Sequence, residues 1–203
     1  SDDRIYLDWN ATAPMLPEVR RAMADAIEDV HGNASSVHQA GQQARAVVES
    51  ARRAVANAVN APAQGVVLTG GATESNNQVL HSHVRQHSDP MVACSVVEHP
   101  SVLEVADRLE QRAVPVERID VHSDGSLQMD QLEAALDEGA SLVSVMMANN
   151  ETGATYPIDS IAEQVHAAGA LLHVDATQAL GRMPVDFEAS GIDYMTLSFH
   201  KMG

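Results

Sequence analysis

Leu142-Val143-Ser144-Val145-Met146, then Ile158, Ile161, Ala162 and Val165 in a stripe that Gly169 stops, then Leu171-Leu172-His173-Val174, is the stretch that decides the fold. The outer runs are short and apolar, whereas the apolar positions between them recur every three to four residues, so the pattern reads strand, helix, strand. Two such strands joined by a helix form a parallel pair buried on both faces. Outward from this unit, Val66-Thr69, Val92-Val96, Pro115-Ile119 and Tyr194-Leu197 read as further strands. The expected fold class is α/β, a three-layer α/β/α arrangement with a mainly parallel sheet.

The helices between the strands are also marked. Ser101 with Glu104 forms a capping-box pattern before Val102, Val105, Ala106 and Leu109, and Asp130 with Glu133 repeats it before Leu132 and Leu136. Ahead of the sheet, Pro17 opens a helix with Val19, Met23, Ala26, Ile27 and Val30 on one face, and a second runs from about Gln42 to Val59. Both are expected to pack on the sheet or on a partner subunit. The polar, glycine-bearing segment from His31 to His38 between them reads as an ordered loop.

Composition narrows the function. At 203 residues, 45% hydrophobic and 20% charged, the chain is expected to fold largely as one domain with one sizeable core. Its net charge of -16 and its lack of basic clusters beyond Arg20-Arg21 and Arg52-Arg53 argue against nucleic acid and against an anionic membrane surface. No apolar run approaches the roughly 20 residues of a spanning helix, and Ser1-Asp2-Asp3-Arg4 lacks the pattern of a signal peptide. Cys94 is the sole cysteine, so no internal disulfide can form; a buried structural thiol and a reducing cytoplasm are the expectations. His81, His83 and His87 do not complete a metal set at usual spacing, and read as solvated helix histidines.

The distinctive polar residues fall just after the strands, at the sheet edge where open α/β folds bind ligands. Thr69-Gly70-Gly71-Ala72-Thr73-Glu74-Ser75-Asn76 is a glycine turn feeding a helix, suited to a phosphate, although such turns also begin many ligand-free helices. His99 follows the next strand, and is either a ligand-facing residue or a loop residue held by Pro100. Asn149-Asn150-Glu151-Thr152-Gly153 is a polar cluster or simply a turn. Asp175 ends the strand that contains His173, with Gln178 three residues on; a carboxylate there needs a partner, for which a protonated ring nitrogen serves. The last strand delivers Ser198, His200 and Lys201. Lys201 is the single lysine among 12 basic residues, and an amine, unlike a guanidinium, can lose its proton in a pocket and act as nucleophile or base. Alone it reads first as a surface residue. Together these groups are the parts that hold pyridoxal 5'-phosphate: a phosphate cradle, a carboxylate for the ring nitrogen, a histidine near the ring and an amine for the aldehyde.

The chain resembles the class V aminotransferases of fold-type I, in particular their cysteine desulfurase branch. The resemblance rests on Tyr6-Leu7-Asp8-Trp9-Asn10-Ala11-Thr12-Ala13-Pro14, Gly32-Asn33-Ala34-Ser35-Ser36-Val37-His38 and Gly71-Ala72-Thr73-Glu74-Ser75-Asn76-Asn77. Glu98-His99, Asn149 to Gly153, His173-Val174-Asp175-Ala176-Thr177-Gln178 and Ser198-Phe199-His200-Lys201 complete it. It implies the large domain of the fold, with residues 1–14 an arm contributing to the small domain and 15–203 the cofactor-binding domain, incomplete at its C-terminal end. It further implies Lys201 as the Schiff-base lysine, Asp175 on the pyridinium nitrogen, His99 stacked over the ring and moving protons, and Gln178 on the phenolic oxygen. Ala72 and Thr73 with Ser198 and His200 would hold the phosphate, and Asn150 would lie near the substrate carboxylate.

By the same resemblance the activity is conversion of L-cysteine to L-alanine, with the sulfur passed to an enzyme cysteine as a persulfide for iron-sulfur cluster or thio-cofactor synthesis. A sulfur-acceptor or scaffold protein is the implied partner, and a cytoplasmic homodimer the implied state. The chain ends just past Lys201, so the acceptor cysteine and the substrate-binding arginine of the family have no counterpart in it, and Cys94 is not assigned the acceptor role. Little activity is expected of it alone. A selenocysteine lyase, a small-amino-acid aminotransferase and an inactive half-length scaffold or partner subunit are the alternatives.

Overall fold

A computed structural model describes residues 5–203; Ser1-Asp2-Asp3-Arg4, read above for a targeting signal, lies outside the described residues. The described residues form two compact units, residues up to Leu68 together with Phe199–Gly203, and Thr69–Ser198.

The second unit contains the sheet. Its strands are β1 (Val92–Ser95), β2 (Val116–Ile119), β3 (Leu142–Met146), β4 (Leu171–Asp175) and β5 (Tyr194–Thr196), all parallel in the order β2-β1-β3-β4-β5. The architecture is the expected α/β one, with strands close to the positions read from the sequence. One expected strand is absent. Val66-Thr69 has no strand partner among the described residues, and Val67 and Leu68 are exposed. Its apolar run satisfies the local pattern of a strand, but a strand exists only when a neighbour takes up its backbone N–H and C=O groups.

Strand alternation divides the core into two faces. Val92, Cys94 and Leu142 pack with Leu80 of α3 (Ala72–Gln86) and with Val102, Val105 and Leu109 of α4 (Pro100–Glu110). Ala93, Val143, Val145, Leu172 and Val174 pack on the other face with Leu132 of α5 (Met129–Asp137) and Ile161 and Val165 of α6 (Ile158–Ala167). By the same alternation Ser144, His173 and Asp175 point toward the α3/α4 face, so a line of polar side chains lies inside an apolar layer.

Neither capping box forms. Pro100 occupies the first turn of α4 and His99 is its cap, its Nδ1 accepting from the Ser101 N–H, which places Ser101 and Glu104 inside the helix. Helix α5 starts at Met129 after Gln128, whose side chain makes no capping bond to the helix, so Asp130 and Glu133 also fall inside. The histidine cluster departs from expectation too. His83 is buried, bonded to Ser141 Oγ at 2.8 Å and stacked on His87 at 3.9 Å between ring centroids, and burial followed by the neighbouring His87 pushes its pKa down to about 4. Cys94 is buried as expected, and burial raises its thiol to about 12.

In the first unit α1 (Pro17–Asp29) and α2 (Gln39–Ala58) form, but none of α1 is buried. Helix α2 begins before Gln42 because His38 caps it, its Nδ1 accepting from Gly41 N at 3.3 Å. The loop ahead of α2 lies tight against it. A Cβ at Gly32 would sit 2.1 Å from the Ala40 carbonyl oxygen and one at Gly41 2.4 Å from that of Ser36, so both positions require glycine.

Packing on the α5/α6 face sets a testable scale. Ile161 is fully buried among Val143, Val145 and Leu172, and Ile161→Ala is expected to lower stability by about 2–5 kcal/mol in urea unfolding; a loss below about 1 kcal/mol would contradict this packing.

Candidate active site

Parallel strands bring their C-terminal ends to one edge, and the residues there are Glu98 and His99 after β1, Asn149 and Asn150 after β3, Asp175 at the end of β4 and Ser198 after β5. Asp175 is opposite Met146 in β3 and Thr196 in β5 and is 5% exposed. Its Oδ1 accepts from the Thr177 N–H at 3.0 Å and its Oδ2 from Asn76 Nδ2 at 2.8 Å. Asn76, in the second turn of α3, is fully buried, and the same Nδ2 donates to Ser101 Oγ at 2.9 Å. Ser101 Oγ in turn lies 2.8 Å from His99 Nδ1. Asp175 and His99 are thus linked through two side chains that the sequence analysis did not place among the site residues. The signal for Asn76 was present: with Leu80 and His83 it lies on the buried stripe of α3, where an amide is out of place unless it has partners.

Helix α3 starts after Gly71, whose φ of 155° favours glycine and which offers no side chain as cap. The first-turn N–H groups of Ala72 and Thr73 therefore have no cap side chain to bond. Around the turn, Gly70 N donates to Glu74 Oε2 at 2.7 Å, and the Thr69 and Ser75 hydroxyls are 2.8 Å apart.

Asn149 rather than Asn150 organises the loop after β3. Its Oδ1 accepts from the N–H groups of Glu151 and Thr152 at 2.9 Å each, and its Nδ2 donates to the Val97 carbonyl at 3.2 Å. That arrangement ties the loop to the segment after β1 and holds Asn150, half-buried, at the same edge. Gln178 is 9% exposed, and its side-chain oxygen and backbone carbonyl both receive Arg182 Nη1. Glu98 Oε1 accepts from Ser95 Oγ at 2.6 Å and from Met146 N at 2.7 Å, while its Oε2 has no partner among the described residues. Burial raises the Glu98 carboxyl to about 8, outweighing those two hydrogen bonds, and the Asp175 charge adds to the rise.

His200 and Lys201 belong to the other unit. There Lys201 Nζ donates to the Asn10 carbonyl at 2.6 Å, the His200 carbonyl accepts from Ala13 N at 2.9 Å, and His200 Nδ1 is 3.2 Å from Thr12 Oγ1.

A family model described as Aminotransferase class-V matches residues 5–203. A cysteine desulfurase of Cereibacter sphaeroides is 41% identical over 98% of this chain and 52% of its own length, and a cysteine desulfurase IscS of an Anaeromyxobacter species is 41% identical over 98% and 50%. The chain spans about half the length of the curated relatives it matches. Among solved structures, one named a NifS-like protein superposes with a TM-score of 0.95 at 32% identity, covering 98% of this chain and 56% of that one. Another, described as SspA in complex with cysteine, gives 0.91 at 28%, covering 97% and 57%.

Glu98 yields a signed pH prediction. Its unfolded value is near 4.5 and its folded value about 8, so between these the unfolded chain releases a proton that the folded chain keeps, and stability falls as pH rises through the window. Glu98→Gln removes this titration. Relative to the variant, the unaltered protein is expected to lose on the order of 3 kcal/mol between about pH 5 and pH 8 in urea unfolding; parallel pH profiles would refute the assignment.

Proposed function

The chain belongs to the aminotransferase class-V family, a family of pyridoxal 5'-phosphate enzymes, and from that membership we propose that it carries the cofactor-binding part of a cysteine desulfurase. The observation that bears most weight is Asp175: a buried carboxylate at the end of β4, taking one donor on each oxygen, keeps lone-pair capacity for a third donor. A protonated ring nitrogen meets that need. The residues at the edge of the sheet unit fit the rest of the group. The first turn of α3 at Ala72 and Thr73 supplies N–H donors for a phosphate with no cap side chain competing, and Ser198 supplies a hydroxyl after β5.

In this reading His99 faces the ring and moves protons, Gln178 bonds the phenolic oxygen and Asn150 lies by the substrate carboxylate, while His200 joins the phosphate ligands and Lys201 is the covalent anchor. The bound cofactor supplies an electron sink for the carbon from which a proton is removed. Lys201 would take that proton, Asp175 would pair with the ring nitrogen and His99 would serve the remaining transfers. L-cysteine is the substrate proposed, a reading supported by the cysteine complex of the structural neighbour and by the names of the relatives. A homodimer, a sulfur-acceptor partner, a cytoplasmic location and an arm of residues 1–14 on a large domain of 15–203 belong to the same proposal. No described helix is long and apolar enough to cross a membrane.

Reconstitution with pyridoxal 5'-phosphate followed by borohydride reduction tests it. The expected result is retained cofactor mass on the peptide containing Lys201 and none in Lys201→Ala. A folded, unaltered protein that retains no cofactor overturns the reading.

A further inference from the structure

We propose that Ser101 is a positioning residue which couples the proton on His99 to the carboxylate of Asp175, through the buried amide of Asn76. Each bond in the chain constrains the next. Asn76 Nδ2 has two protons, and the geometry directs one to Asp175 Oδ2 at 2.8 Å and the other to Ser101 Oγ at 2.9 Å. Turned over, the amide would set its oxygen against a carboxylate oxygen, two acceptors with no proton between them, so the charge on Asp175 selects the orientation. The selection has a cost: Asn76 Oδ1 is left buried without a partner among the described residues.

Because Asn76 donates to it, the Ser101 hydroxyl is an acceptor on that side and sends its single proton to His99 Nδ1, 2.8 Å away. The Ser101 backbone N–H, which cannot reverse its role, reaches the same nitrogen at 3.1 Å. Two donors converging on Nδ1 leave its lone pair occupied, so the neutral ring carries its proton on Nε2. The hydroxyl is not needed to cap α4, since His99 is the N-cap, and Ser101 is only 7% exposed. Its place in the structure is between the amide and the imidazole.

If Asp175 loses its charge, the Asn76 amide is free to turn and offer its oxygen to Ser101. The hydroxyl then donates to Asn76 and withdraws from His99, leaving Nδ1 with the backbone donor alone. On the cofactor reading given above, the residue that faces the ring nitrogen would thereby set the state of the residue that moves protons. The hydrogen-bond relay itself does not depend on that reading.

Nitrogen NMR of the intact protein with 15N-labelled histidine tests the relay without cofactor or turnover, at about pH 8, above the ordinary imidazole range. The His99 signals are assigned by their loss in His99→Gln. In the unaltered protein Nδ1 is expected to show the shift of an unprotonated nitrogen and Nε2 that of a proton-bearing one; a proton-bearing Nδ1 overturns the proposal before any further variant is made. Asp175→Asn is then expected to move the Nδ1 signal when residue 101 is Ser or, in Ser101→Thr, retains a hydroxyl, and to leave it in place in Ser101→Ala. A shift of equal size with and without the hydroxyl means that the two residues interact through space alone, and also overturns the proposal. Failure to retain pyridoxal phosphate would refute the functional reading while leaving this result untouched.

Discussion

The arrangement of the sheet unit turns on keeping one carboxylate charged inside it. Asp175 ends β4 at 5% exposure, where an ionised group without compensation costs several kcal/mol. Two donors compensate it, and both are local consequences of chain geometry. The turn after β4 presents the Thr177 N–H, and α3, by starting at Gly71, brings Asn76 one turn in to the level of the strand end. The register that sets Asp175 beside Met146 and Thr196 keeps this level fixed. A shift of one residue in β4 would turn Asp175 toward the α5/α6 face and Val174 toward the amide.

The same face accommodates further polar groups because each has a partner able to adapt. His173, fully buried, has Ser144 Oγ 2.9 Å from Nδ1 and Thr196 Oγ1 3.1 Å from Nε2. Burial holds its pKa below the ordinary histidine value against the pull of the Asp175 charge, so the ring is neutral, with one donor and one acceptor nitrogen. Hydroxyls serve either role, and both tautomers are satisfied. Glu98 is treated differently. Its one bonded oxygen does not offset burial, and its carboxyl stays protonated to about 8, whereas each oxygen of Asp175 receives a donor. Environments that separate like groups in this way are how a site assigns distinct tasks to them.

The sheet was legible from sequence because β1, β3 and β4 are buried on both faces and so read as continuous apolar runs, and the helices α4, α5 and α6 that join consecutive strands from β1 to β4 carry clear stripes. Val66-Thr69 has the same local pattern, yet pairing is a property of two segments and cannot be read from one. The capping boxes failed for the opposite reason. Pro100 and the ring of His99 settle the N-cap of α4 at His99, two residues ahead of Ser101, and a four-residue pattern search does not weigh that competition. At the candidate site, Asp175 and His99 stood out by residue type at strand ends. Asn76 and Ser101 did not, since each lies within a helix and acquires its role only through a partner at least 25 residues away.

Lys201 presents the complementary case, in which a residue conspicuous in the sequence is placed by segments far from it. The opening stretch folds on itself: the Tyr6 hydroxyl donates to the carbonyls of Asp8 and Thr12, and Trp9 Nε1 donates to that of Tyr6. The resulting turn presents Ala13 N to the His200 carbonyl and the Asn10 carbonyl to Lys201 Nζ, across 191 residues of sequence for the last pair. Part of the placement of the chain's single lysine therefore comes from backbone geometry in residues 10–13, an irregular segment held in register with Lys201.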